Sequence, residues 1–146
     1  MALFNIFNIA GSGMSAESVR LNTVASNLAN ADSVSGSPET AYKARYPVFQ
    51  ALQASLMSPG AAADPNRGAD AAVQVRGIVE STKAGTARYE PGNPLADANG
   101  YVYSSNVNVV EQMADMISAS RSYQNNAEVL DTSRQLMLDT LKLGQG

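Results

Sequence analysis

Any chemistry in this chain would have to begin from carboxylates. Glu90 with Asp97, and Asp64 with Asp70, lie close enough in sequence to suggest the paired acids of general acid/base work. Each, however, sits in a stretch dense in Gly, Pro and Asn, where Asp commonly closes turns, and no aromatic platform for a sugar accompanies them. Gly11-Ser-Gly13 has the look of a phosphate loop but lacks the following Gly-Lys-Ser/Thr and the preceding strand. The rest of the inventory is spare. With 0 His and 0 Cys, the commonest general base, the commonest metal ligand, the thiol nucleophile and the disulfide are all absent, and there is no Trp. No catalytic, cofactor-binding or metal-ligating residue is therefore expected, and no cofactor. A net charge of −3 without a basic stripe argues against nucleic acid as a partner.

The chain has 146 residues, 45% hydrophobic and 16% charged, a globular balance for one domain of modest core. No run approaches the ~20 apolar residues that cross a bilayer, so direct membrane insertion is not expected. Met1 to Ala16 is mildly apolar but has no basic residue before Arg20, which is not the pattern of a cleaved secretory signal.

The elements that would have to position any site are two terminal helices with a different middle. From the N-terminus, Phe4, Phe7, Gly11, Met14, Ser18, Leu21, Ala25 and Leu28 alternate at three- and four-residue spacing, the seam of a coiled coil. Gly11 and Gly13 each cost about 1 kcal/mol against Ala in a helix, so the firm helix is expected from Met14 to Ala31. Asn22, Asn27 and Asn30 are either register-setting contacts between helices or a solvated face. In the C-terminal segment Val109, Met113, Met116, Ser120, Tyr123, Ala127, Leu130, Arg134, Met137 and Leu141 keep the same alternation. Asn108 followed by Glu111 starts this helix in the manner of a capping box, and Gly144 stops it after Leu143. At a rise of ~1.5 Å per residue such a helix is roughly 50 Å long. The N-terminal helix covers about half of it, so the remaining seam calls for other chains. Arg121 and Tyr123 are either an intersubunit anchor or an exposed face, and Met113, Met116 and Met137 read as packing residues suited to irregular gaps. The middle is rich in Gly and Pro. Short β-type runs are expected at 42–49, at 73–79 with Val73, Val75, Gly77 and Val79 on one face, and at 101–103, with a flexible loop over 58–72. The expected fold is mainly α: long N- and C-terminal helices forming a coiled coil, with a small β-rich insertion between them. The divisions are 1–31, 32–105 and 106–146.

Ala25-Ser-Asn-Leu-Ala-Asn-Ala-Asp32, preceded by Gly13-Met-Ser-Ala16, resembles the N-terminal signature of the flagellar axial proteins, the rod and hook subunits. The run from Val107 to Asn126 resembles their C-terminal signature. Tyr42-Lys-Ala-Arg-Tyr-Pro-Val-Phe49 and the stretch Tyr89 to Val102 resemble the proximal rod subunits within that family, and the likeness covers nearly the whole chain. One departure is Ser105, where the family usually has Pro before the C-terminal helix; this is expected to loosen the joint. The resemblance implies a structural subunit of the basal-body rod in the periplasm, exported unfolded by the flagellar type III apparatus without a cleaved signal. It implies terminal helices that polymerise into the drive shaft around the export channel. Implied partners are copies of the chain, other rod proteins, the rod-to-membrane-ring adaptor and the export apparatus. Carried onto this sequence, the signature and assembly residues are Asn22, Asn27, Leu28, Asn30, Asn106, Asn108, Glu111, Met113, Met116, Arg121, Tyr123, Leu130, Met137 and Leu141. The rival readings are another rod subunit of the same axial family and a non-flagellar envelope coiled-coil adaptor.

Overall fold

The computed structural model describes residues 2–53 and 71–144. Most of the expected loop at 58–72, with Asp64 and Asp70, lies outside the described residues. Helix α1 runs from Ala2 to Ala29, followed by strands β1 (Val34–Ser35), β2 (Arg45–Gln53), β3 (Ala71–Glu80), β4 (Ala87–Tyr89) and β5 (Tyr101–Ser104), then helix α2 (Val109–Leu143). β1, β5 and β4 form one sheet in that order, antiparallel throughout, with Ser35 opposite Tyr103 and Tyr89 opposite Tyr101. β2 and β3 pair as a separate two-stranded sheet.

The chain falls into two compact units. One comprises residues 1–19, 49–76 and 119–146; the other comprises 20–48 and 77–118. In the first, Gly13 on α1 lies against Asn126 on α2: a Cβ at Gly13 would stand 2.8 Å from Asn126 Nδ2. Ser12 Oγ in the same unit donates to Ile9 O at 2.8 Å and accepts the Val73 N–H of β3 at 3.1 Å. Gly11-Ser-Gly13 is thus helix, not a loop. The helix extends well N-terminal of the expected Met14 start because α1 uses its glycine for a close approach rather than as a break. In the second unit Val102 of β5 is fully buried, and Ala41 and Ala44 are buried as well.

α2 has the expected boundaries, Val109 to Leu143. Asn108 Oδ1 accepts the N–H groups of Val110 at 3.1 Å and Glu111 at 3.3 Å, satisfying two of the donors a helix start leaves open. The other end differs. Among the described residues only Gly100 has a positive φ, so Gly144 is not a left-handed stop; its N–H continues the helical pattern onto Thr140 O at 3.1 Å.

The expected mainly α coiled coil is corrected on two counts. Among the described residues five strands in two sheets accompany the helices, so the fold is mixed α and β with a helix toward each end. The apolar seams also match the faces that the helices bury only in part. On α1 the buried residues are Ala10, Ala16, Thr23, Val24 and Asn27; of the expected seam, Phe7, Met14, Leu21 and Leu28 are half-buried, whereas Gly11, Ser18 and Ala25 are exposed. On α2 the inward stripe is Gln112, Met116, Ala119, Tyr123, Asn126, Leu130, Ser133 and Met137, each buried or half-buried. It shares Met116, Tyr123, Leu130 and Met137 with the expected seam, of which Ser120 and Ala127 are also half-buried at the edge of the stripe. The other column lies one residue earlier, and Val109, Met113, Arg134 and Leu141 face out. Ranking positions by hydrophobicity selects Met and Leu. Close helix approach selects Gly, Ala and Ser, whose small side chains let backbones meet.

Candidate functional site

Alongside Val102, two amides of the second unit, one on each helix, are fully buried: Asn27 and Gln112, both with 0% exposure. α1 carries Asn27 in its last turn, two residues before its end at Ala29. Its Nδ2 donates to Arg45 O and to Gln112 Oε1, both at 2.8 Å. Its Oδ1 accepts the Arg45 N–H at 2.9 Å and the Tyr42 hydroxyl at 3.0 Å. All four bonding positions of the amide are filled, which a buried amide needs to avoid a desolvation penalty. Because Asn27 exchanges both bonds with the backbone of Arg45, it acts as a short stretch of β-ladder at the start of β2. Gln112 is less well served: its Nε2 is buried without a hydrogen-bond partner.

Around this hub the helices run antiparallel, since Arg20 reaches Asp115 at 2.8 Å while Asn27, further along α1, reaches Gln112, earlier on α2. Burial raises the Tyr46 phenol above its ordinary pKa, and the Glu111 and Asp115 carboxylates push it the same way. The joint into α2 is tied rather than loosened. Ser105 N–H, which Pro would lack, donates to Ser33 O at 3.1 Å, and Ser105 Oγ accepts the Val107 N–H at 3.1 Å. Asn106 Oδ1 accepts the Ala44 N–H at 2.7 Å, and its Nδ2 donates to Lys83 O at 2.6 Å.

The expected signature residues therefore divide. Asn27, Asn106 and Asn108 lie in hydrogen-bonded positions at the joints between helix and strand. Asn30 caps its own helix, donating to Ser26 O at 2.8 Å. Leu28, Met116, Tyr123, Leu130 and Met137 are half-buried. Asn22, Glu111, Met113, Arg121 and Leu141 are exposed, with Met113 at 54% and Leu141 at 58%. Gln112, Tyr42 and Arg45, which complete the hub, lay within the quoted motifs but were not singled out. A polar residue on a mostly apolar face, Gln112 next to Met113, was the available signal.

The carboxylates are engaged in local turns. Glu90 pairs with Arg88 and accepts from Asn93 Nδ2 at 3.1 Å, and the Asn93 and Arg88 bonds hold its pKa below the usual value. Asp97 Oδ1 accepts the N–H groups of Tyr101 at 2.9 Å and Asn99 at 2.8 Å, which likewise lowers its pKa, the Tyr101 bond most. Gly100 completes the turn at φ +81°, with Tyr89 Cε2 and Pro91 Cβ 2.9 Å and 3.2 Å from where a Cβ would stand. Among the described residues no group of three or more acidic side chains is placed to hold a metal ion, and no helix is long and apolar enough to cross a membrane.

Residues 7–36 match the family described as flagella basal body rod protein, and residues 98–143 match the C-terminal family of the flagellar basal body rod FlgEFG proteins. The chain is also similar end to end to curated flagellar basal-body rod proteins FlgC. It is 53% identical to that of Salmonella typhimurium and 50% identical to that of Yersinia enterocolitica, in both cases over 99% of this chain and 100% of the relative. It is 35% identical, with the same coverage, to that of Buchnera aphidicola subsp. Baizongia pistaciae. The segments that meet at the amide hub, 20–48 and 77–118, overlap both matched regions. The chain belongs to the FlgC family of flagellar basal-body rod proteins.

Proposed function

We propose that the chain is a non-catalytic structural subunit of the proximal rod, joining copies of itself and other rod proteins through its terminal helices into the shaft that transmits torque and encloses the export channel. Export by the flagellar type III apparatus without a cleaved signal, contact with the rod-to-membrane-ring adaptor, and residence in the periplasmic part of the rod belong to the same reading. So do the divisions 1–31 and 106–146 as axial core and 32–105 as the insertion outside it.

The observation that carries the proposal is the outer flank of α2. With the inward stripe already occupied, Val129, Leu136 and Leu143 recur every seventh residue on one side of it, and all three are exposed, Leu143 at 84%. Met113 and Leu141 lie exposed on the other side. Apolar side chains flanking both edges of a stripe suit a helix that receives further helices, and a repeated head-to-tail contact of that kind builds a helical tube. Burial supplied by neighbours then offsets the entropy of ordering the helix. Because Leu136 is exposed within its own chain, Leu136→Asp should leave the subunit's circular dichroism and its secretion unchanged. It should also abolish rod assembly and swimming in a strain that carries it as the sole copy. Normal motility in that strain would remove the flank from the proposal.

A further inference from the structure

In the second unit the two helices bury one apolar side chain, Val24, with Leu21, Leu28 and Met116 half-buried. The other inward residues there, Arg20, Thr23, Ser26, Asn27, Gln112 and Asp115, are polar. The inward positions of both helices also recur at heptad spacing, so a helix displaced along its neighbour re-presents equivalent faces. Apolar packing of this kind leaves register weakly specified.

The amides differ, because a single alignment places them opposite one another. We infer that Gln112 is the positioning residue for the register of α1 on α2, acting through its 2.8 Å bond from Asn27, and that Asn27 passes this register to the start of β2 through its two bonds with Arg45. The inference deepens the proposed assembly role, because a subunit that joins others through both helices must present them at one fixed offset. The unpartnered Nε2 of Gln112 supports it. A residue kept only for stability would not leave a buried donor unpaired, which is unfavourable compared with an apolar side chain of the same shape. A buried polar residue that selects one alignment at the expense of stability has precedent in coiled coils.

The chain has no cysteine, so a pair of spin labels can be placed cleanly through Asn22→Cys and Ile117→Cys, both exposed and both in the second unit. In the full chain the parent should give a single narrow distance. Gln112→Met keeps the volume, removes the orphaned donor and leaves Asn27 its other three bonds. It should keep the melting temperature within a few degrees yet add a second distance population, arising from a helix displaced by one heptad, roughly 10 Å along its axis. Gln112→Glu, which retains the acceptor for Asn27 Nδ2, should restore the single distance. Met116→Ala should lower the melting temperature without adding a population. A single unchanged distance in Gln112→Met would overturn the inference and leave the register to the β1–β5 pairing, as would a broad distribution in the parent. Neither result bears on whether the chain builds a rod, which the Leu136→Asp strain reports.

Discussion

Single side chains here serve geometry, and Asp97 shows how. Its spacing from Glu90 suggests an acid/base pair; its carboxylate instead closes a turn by accepting two backbone N–H groups. Those bonds favour the charged form, so the folded pKa lies below the unfolded one. The stabilisation is present above the unfolded value and is lost as pH falls through the folded value. Exchange of the Asn99 and Tyr101 amide protons should therefore accelerate, relative to other turn amides, as the solution is acidified through that range. In Asp97→Asn, whose side-chain oxygen still accepts but does not titrate, the acid-dependent step should vanish; hydrogen-exchange mass spectrometry at a series of pH values reads both. An identical acid step in the variant would place its origin elsewhere. That Asp97 would sit in a turn was legible from Pro91, Gly92, Pro94 and Gly100. That Asn27 would anchor β2 was not, because its partners Tyr42, Arg45 and Gln112 are distant in sequence and meet only when the fold has formed.

At the scale of elements, the start of α2 was written locally and was legible locally, whereas Gly144 does not form the left-handed stop its type suggests. Asn108 donates no apolar surface; its value is the pair of N–H groups it accepts. Asn108→Ala should destabilise the chain by about 1 kcal/mol, a typical worth for an N-cap, seen as a fall of a few degrees in the thermal midpoint followed at 222 nm. An unchanged midpoint would mean that the Ser105 and Asn106 bonds alone hold the joint. The faces were harder to read than the ends. Helix α2 itself was legible, but the expected seam is only in part the face it buries: Met116, Ser120, Tyr123, Ala127, Leu130 and Met137 are half-buried, and Val109, Met113, Arg134 and Leu141 are exposed. The second column was misplaced by one residue because Gln112, Ala119 and Ser133 carry no hydrophobic signal, while Met113 and Leu141 carry a strong one and point outward. α1 shows the same bias: Ala10 and Ala16 are buried, and Gly13 admits Asn126, a role that no propensity scale assigns to glycine.

For the whole molecule, the division between buried small residues and exposed large ones is the informative feature. A chain that spent Leu136, Leu138, Leu141 and Leu143 on its own core would have a larger core and no further claim on partners. This one leaves all four exposed on a helix of 35 residues. Length, the absence of His and Cys, and the two terminal motifs pointed toward an axial subunit before any geometry was known. The strands were partly visible, at 101–103 and across 73–79, while two-residue β1 was too short to leave a pattern. The most direct test of the rod assignment is a clean deletion of the gene with electron microscopy of isolated basal bodies, complemented by the intact chain. The account predicts basal bodies that keep the membrane ring but lack rod and hook, in cells that do not swim, with both restored on complementation. Complete rods in swimming cells of the deletion strain would contradict it.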